Sequence, residues 1–138
     1  IAVCTAAVSD FKPSVVKKNK IKKNEKFDEI KIERNIDILS FLGKNNRHKP
    51  KLLVGFSAET ENLIKNSTRK MEEKLCDMMI ANDVSKDDFG FNSDENEVII
   101  IDKNGKTEKV KKSSKKFIAS VLARKIVEAF LLNEKKLN

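Results

Sequence analysis

Lys70 and Lys74 lie four residues apart in a stretch whose apolar residues recur at helical spacing, so their ammonium groups stand one above the other on a helix. Such a like-charge pair costs roughly 0.2 to 0.5 kcal/mol unless an anion lies between the two. Alone the pair reads as a solvated face; with a phosphate or carboxylate between its members it becomes an anion site. A second concentration of charge runs from Ser14 to Lys26, where Lys17, Lys18, Lys20, Lys22, Lys23 and Lys26 follow closely on Lys12. Like charges at that density repel, so residues 14–26 are expected to form a mobile basic arm until an anion gathers them. Asp10 follows the first apolar run of the chain, and Ala6 and Ala7 ahead of it are small enough to let a ligand approach the backbone. The stretch Phe56 to Thr60 follows a short apolar run and a glycine, and Ala81-Asn82-Asp83 closes another apolar run with polar residues. Read without other support, Asp10 is a turn residue and Phe56 a core residue.

Several chemistries are absent. The chain has no Gly-rich phosphate loop, no HExxH, no GxSxG and no zinc-ligand spacing. The single histidine, His48, lies between Arg47 and Lys49 with no carboxylate or thiol near it in sequence, and reads as a solvated loop residue. Cys4 and Cys76 are too few for a disulfide framework and are expected to be reduced, buried thiols.

The elements that would position these residues follow from periodicity. Leu52, Leu53 and Val54 with Gly55 and Phe56 predict a short, fully buried strand, and Glu59 and Thr60 open a helix after it. A strand feeding a helix through a glycine-containing turn is the βα unit of open parallel sheets, whose ligands bind at the carboxyl ends of the strands. Leu63, Ile64, Ser67, Met71 and Leu75 mark the buried stripe of that helix, with Lys65, Arg69, Lys70 and Lys74 on the opposite face. Cys76 to Ile80 predicts the next buried strand. Val98 to Ile101 and Thr107 to Val110, joined through Gly105, predict a hairpin whose Lys109 and Lys111 suit a sheet edge. From a Ser113 or Ser114 cap, Phe117, Ile118, Val121, Leu122, Ile126, Val127, Phe130 and Leu131 predict a long amphipathic helix. Nearer the amino end, Ile1 to Thr5 predicts a buried strand, and Phe27 to Arg34 a half-buried one with Ile30 and Ile32 on one face. A helix over Ile36 to Leu42 is predicted to be capped by Asn35, to carry Asp37 in its first turn and to end at Gly43. An apolar run at the very first residue also suggests a piece of a longer protein.

The totals agree with one α/β domain over residues 1–138. Hydrophobic residues make up 39% and charged residues 36%, with four Gly and two Pro, which indicates neither disorder nor a fibrous class. No run approaches the roughly 18 apolar residues of a membrane span, so a cytoplasmic location is expected. A net charge of +8 favours anionic partners. With no Trp, no Tyr and no aromatics among the lysines, nucleic acid is the weaker choice of anion.

The motifs themselves resemble a known family. Ala6-Ala7-Val8-Ser9-Asp10-Phe11, Lys20-Ile21-Lys22-Lys23, Asn35-Ile36-Asp37-Ile38-Leu39, Gly55-Phe56-Ser57-Ala58-Glu59-Thr60, Ala81-Asn82-Asp83-Val84-Ser85 and Gly90-Phe91-Asn92-Ser93 are similar, in order and spacing, to the motifs of bacterial phosphopantothenate cysteine ligase, the synthetase half of a bifunctional flavoprotein of coenzyme A synthesis. The resemblance implies a Rossmann-like, mostly parallel sheet with flanking helices, a C-terminal hairpin and a long helix, truncated at the amino end. It implies a homodimer using CTP and Mg²⁺, without FMN in this part, to join 4'-phosphopantothenate to cysteine through an acyl-cytidylate. By motif, Asp10, Lys20, Ile36, Asp37, Ile38, Leu39, Phe56, Lys70 and Lys74 would contact the nucleotide, with Lys20 catalytic, and Ala6 and Ala7 would leave room for the pantetheine arm. The family usually has Pro at the place of Ile36, Ala at that of Ser57 and often Tyr at that of Phe11. Its synthetase domain begins with a Gly-rich segment that this chain would take from a separately encoded amino-terminal half, next to a decarboxylase domain. A catalytically inactive nucleotide-binding remnant and a basic RNA-binding module are the alternative readings.

Overall fold

The computed structural model describes residues 1–20, 22, 29–45, 47, 49–85 and 94–135. His48, Lys23, Lys26, Phe27 and the motif Gly90-Phe91-Asn92-Ser93 lie outside the described residues. The described chain divides into two compact units, one of Ile1–Thr5 with Leu39–Asn138 and one of Ala6–Ile38.

In the larger unit the apolar run at Leu52 to Val54 is fully buried, as its composition requires, and enters strand β4 (Leu53–Glu59). The sheet has the order β1-β4-β5-β6-β7, with β1 (Ala2–Cys4), β5 (Met78–Asp83), β6 (Glu95–Asp102) and β7 (Thr107–Ser114). β1, β4 and β5 are parallel neighbours, β6 is antiparallel to β5, and β7 is antiparallel to β6. Four of the five strands therefore run the same way, giving the α/β, Rossmann-like, mostly parallel arrangement that the motifs imply. β5 is the middle strand.

Alternation along β4 divides the core between two faces. Leu52 and Val54 pack with Met78, Ile80, Val98, Ile100 and Val110 beneath Ile118 and Leu122 of helix α3 (Lys115–Lys135). Leu53 packs with Met79, Ala81 and Ile101 against Leu39 of helix α1 (Ile38–Lys44) and Met71 of helix α2 (Leu63–Glu73). The hairpin and the last helix form as expected: Gly105 takes a φ of 78° in the turn, and Ser114 Oγ accepts from the Phe117 N–H at 3.2 Å as the N-cap of α3. β7 is a sheet edge, as Lys109 and Lys111 suggest. No helix among the described residues is long and apolar enough to cross a membrane.

Other expectations are corrected. β1 is an edge strand with Ile1 and Val3 exposed rather than a buried one, because β4 covers only one side of it. Helix α1 begins at Ile38 and runs through Gly43, which is buried inside it, so Gly43 does not end the helix. Asn35 precedes α1 and accepts from the Ile36 N–H through Oδ1; Asp37 precedes the helix instead of occupying its first turn. β5 starts at Met78, leaving Cys76 buried in the turn before it, whereas Cys4 is half-buried in the edge strand. The apolar stripes are narrower than the periodicity suggests: Ile64 and Leu75 near α2, and Phe117, Val127 and Leu131 on α3, are exposed.

Leu75 is exposed for a geometric reason. It follows the α2 C-cap with a φ of 55°, and the Leu75 N–H bonds to Glu72 O while the Cys76 N–H bonds to Met71 O. That pattern is a Schellman motif, whose left-handed position favours glycine. Leu75→Gly is expected to stabilise the chain by about 0.5–1 kcal/mol, because the steric cost of a Cβ there disappears. Chemical denaturation checks this; a lowered midpoint would show that the Leu75 side chain supplies packing that outweighs the backbone strain.

The smaller unit is a two-stranded antiparallel ribbon of β2 (Phe11–Pro13) and β3 (Ile32–Arg34). Phe11 pairs with Arg34, whose guanidinium lies 6.0 Å from the ring centre, and Lys12 pairs with Glu33 across 3.2 Å. Of the half-buried strand expected over 27–34, the described residues form β3 at Ile32–Arg34 only, and Ile30 and Ile32 are 62% and 61% accessible, since one partner strand covers no face of it. Val15 and Val16 are exposed beside them, around a hollow of about 550 Å³ lined also by Pro13, Lys17 and Lys31.

Candidate functional site

The carboxyl ends of β4 and β5 gather most of the chemistry of the larger unit. Phe56 continues the face of Leu52 and Val54 but lies beyond the reach of the α3 cover, and is 37% exposed. It is therefore not a core residue, and its ring is available to pack on a planar ligand. Ala58 follows on that face and is paired in register with Asn82 of β5. The side-chain oxygen of Asn82, Oδ1, is buried with no hydrogen-bond partner among the described residues. A buried acceptor left open beside an exposed aromatic ring suits a ligand N–H or O–H.

Ser57 and Glu59 point to the opposite face, toward α2. Ser57 Oγ and Ser67 Oγ lie 2.7 Å apart, both buried, so one hydroxyl donates to the other and the bond ties strand to helix. One turn further along α2, Lys70 Nζ approaches Glu59 Oε1 at 2.6 Å. The contact is a close ion pair between a partly exposed ammonium and a largely buried carboxylate oxygen. Lys70 is thus on the sheet-facing flank of α2, 35% exposed at its side chain, and not on a solvated opposite face. Lys74 is the C-cap just after the helix, its N–H bonded to Lys70 O at 3.1 Å. The repulsion expected between Lys70 and Lys74 is offset by Glu59, which periodicity did not bring into the argument.

Leu39 contributes its side chain to the core and only its backbone to the start of α1. Of the other expected site residues, Ala6, Ala7, Asp10, Lys20, Ile36, Asp37 and Ile38 belong to the smaller unit, and all of them are exposed. Asp10 lies at the base of the ribbon, where its carbonyl accepts from the Asn35 N–H at 2.8 Å. Glu59 and Asn82 were not named among the expected contacts, although the stretches that contain them, Phe56 to Thr60 and Ala81 to Asp83, were expected on the ligand side of the sheet. Asn82 had a signal, a polar side chain at a strand's carboxyl end; Glu59 had only its place in the strand-to-helix turn. No group of three or more His, Cys, Asp or Glu able to hold a metal forms among the described residues.

Residues 1–130 match the family described as the DNA/pantothenate metabolism flavoprotein C-terminal domain. The coenzyme A biosynthesis bifunctional protein CoaBC of Haemophilus influenzae is 39% identical over 130 residues, covering 94% of this chain and 32% of that protein. Its counterpart in Bacillus subtilis is 39% identical over 105 residues, covering 76% of this chain and 25% of that protein. The chain thus spans about a quarter to a third of the length of these relatives. A crystal structure of the C-terminal domain of a CoaBC protein superimposes with a TM-score of 0.68 at 30% identity, over 96% of this chain and 54% of that one. With an exposed ring, an open buried acceptor and a paired lysine at the carboxyl ends of its parallel strands, the chain belongs to the DNA/pantothenate metabolism flavoprotein C-terminal domain family.

Proposed function

We propose that this chain supplies the nucleotide-binding part of a ligase that joins 4'-phosphopantothenate to cysteine in coenzyme A biosynthesis. The observation that carries the proposal is the exposed Phe56 ring sharing a face with the open Asn82 oxygen at the carboxyl ends of β4 and β5. The relatives' part in coenzyme A biosynthesis supports the choice of pathway. In the reaction, a carboxylate oxygen of 4'-phosphopantothenate attacks the α-phosphorus of CTP and pyrophosphate leaves with the bonding electrons. The cysteine amine then attacks the acyl carbon, CMP leaves, and the amine gives up a proton as the amide forms. Phe56 packs on the base, Asn82 Oδ1 accepts from a nucleotide N–H or O–H, and Lys70 and Lys74 offer charge to the phosphates.

Mg²⁺ prefers substrate phosphates with one or two carboxylates to an all-protein cage. The described residues build no such cage, and none of them is assigned to the ion. In the smaller unit a two-stranded ribbon with exposed Val15, Val16, Ile30 and Ile32 is marginal by itself, which supports a homodimer in which a second copy covers it. Sedimentation giving the mass of one chain at micromolar concentration would remove the dimer.

The function is tested by pyrophosphate release from CTP and Mg²⁺, with and without 4'-phosphopantothenate. The assay uses the 138-residue chain alone and then mixed with the Gly-rich amino-terminal segment of a full-length relative. Release that depends on 4'-phosphopantothenate is expected in the mixture. CTP binding without release in either case would leave a nucleotide-binding remnant and withdraw the ligase.

A further inference from the structure

Glu59 is the last residue of β4, and its side chain is only 10% exposed. A carboxylate at that depth needs a counter-charge. Its neighbour in register, Asp83 on β5, adds a second negative group to the same edge; Asp83 Oδ1 accepts from both the N–H and the hydroxyl of Ser85, the latter at 2.6 Å. Among the described residues the cation that answers Glu59 is Lys70, 2.6 Å from Oε1, and a single carboxylate oxygen engages one of the three N–H donors of the ammonium. A lysine with a long flexible stem is thereby held at one place while its remaining donors can meet other acceptors.

We propose that Glu59 is a positioning residue: its buried carboxylate holds the Lys70 ammonium at the carboxyl end of β4 for the polyphosphate of the nucleotide. The inference rests on the nucleotide-binding reading above. Two effects oppose each other in the pair. Glu59 cancels part of the charge that attracts an anion, and it also keeps Lys70 from dispersing into solvent. The second wins because phosphate oxygens reach Lys70 from the side away from Glu59, where a fixed ammonium loses no further freedom on binding.

Calorimetric titration of the whole chain with CTP, sodium tripolyphosphate and cytidine reads the inference directly. Glu59→Gln is expected to weaken CTP and tripolyphosphate binding about tenfold and to leave cytidine binding unchanged, since a neutral amide no longer anchors the ammonium. In a Lys70→Met background the same Glu59→Gln change is expected to have no further effect, because the two act through one contact. Glu59→Asp, which keeps the charge on a shorter stem, is expected to recover most of the affinity. Glu59→Gln binding CTP as tightly as the parent chain, or more tightly, would overturn the inference, as would an equal loss in the Lys70→Met background, the mark of a merely structural role. Failure of the parent chain to bind CTP at all would instead remove the nucleotide reading on which the inference stands.

Discussion

Gly43→Ala is expected to destabilise the chain by about 3 kcal/mol and to lower its melting temperature by about 8–10 °C. A Cβ at Gly43 would lie 1.8 Å from the carbonyl oxygen of Lys74 and 3.0 Å from its carbon. The glycine Cα–H therefore points at that carbonyl, and α1 packs against the end of α2 at a separation no side chain allows. The obstacle is backbone held by the α2 cap, where the Lys74 N–H bonds back to Lys70 O, so it cannot step aside without breaking the cap. Alanine returns about 1 kcal/mol of helix propensity inside α1, far less than the overlap costs. Gly55→Ala is the control. There a Cβ would meet the end of Leu39 at 2.5 Å and of Met79 at 3.2 Å, side chains that can shift, so a cost of about 1–2 kcal/mol is expected. Thermal unfolding of the two variants side by side decides the matter. If Gly55→Ala proved the more damaging, the close approach of α1 to the Lys74 carbonyl would be the part of the fold to abandon.

The contrast between these glycines also shows what could be read from the chain. Patterns with a local cause were legible: the apolar run into β4, the Gly105 turn, and the long helix after Ser114, each fixed by neighbours a few residues away. Gly43 looked like a helix stop because glycine usually is one, and only the carbonyl of Lys74, brought near by tertiary packing, explains a glycine inside α1. Leu75 looked like the next member of an apolar stripe, whereas the Schellman turn rotates it out of the helix. A strand ending at Arg34 was legible, but β2 and its pairing with β3 were hidden because the pairing joins residues about twenty positions apart and its alternation buries no face. At the candidate site, the stretch Phe56 to Thr60 was legible as a strand end, but the pairing of Glu59 with Lys70 was not. A single glutamate at the end of a strand looks solvated until α2 returns Lys70 against it and covers it.

Lys20→Ala is expected to reduce 4'-phosphopantothenate-dependent pyrophosphate release by about a hundredfold to a thousandfold while weakening CTP binding less than about tenfold. Lys20 is exposed and has no ion-pair or hydrogen-bond partner among the described residues, whereas Lys70 is held by Glu59. In the proposed reaction, attack on the α-phosphorus concentrates negative charge on the phosphoryl oxygens as the pyrophosphate bond breaks. A cation that meets this charge mainly as it develops lowers the barrier more than it tightens the ground state, and its loss appears in kcat before KM. Lys70 variants should show the reverse, a raised KM for CTP with a smaller change in kcat, because the charge of Lys70 is already placed before the reaction begins. Lys20→Arg keeps the charge but replaces a compact ammonium with a planar fork, and should recover part of the rate. The comparison is made in the mixture that releases pyrophosphate, with CTP binding measured separately by calorimetry. A Lys20→Ala chain that releases pyrophosphate within threefold of the parent would take Lys20 out of the chemical step and leave the arm as one of several places that attract the nucleotide's charge.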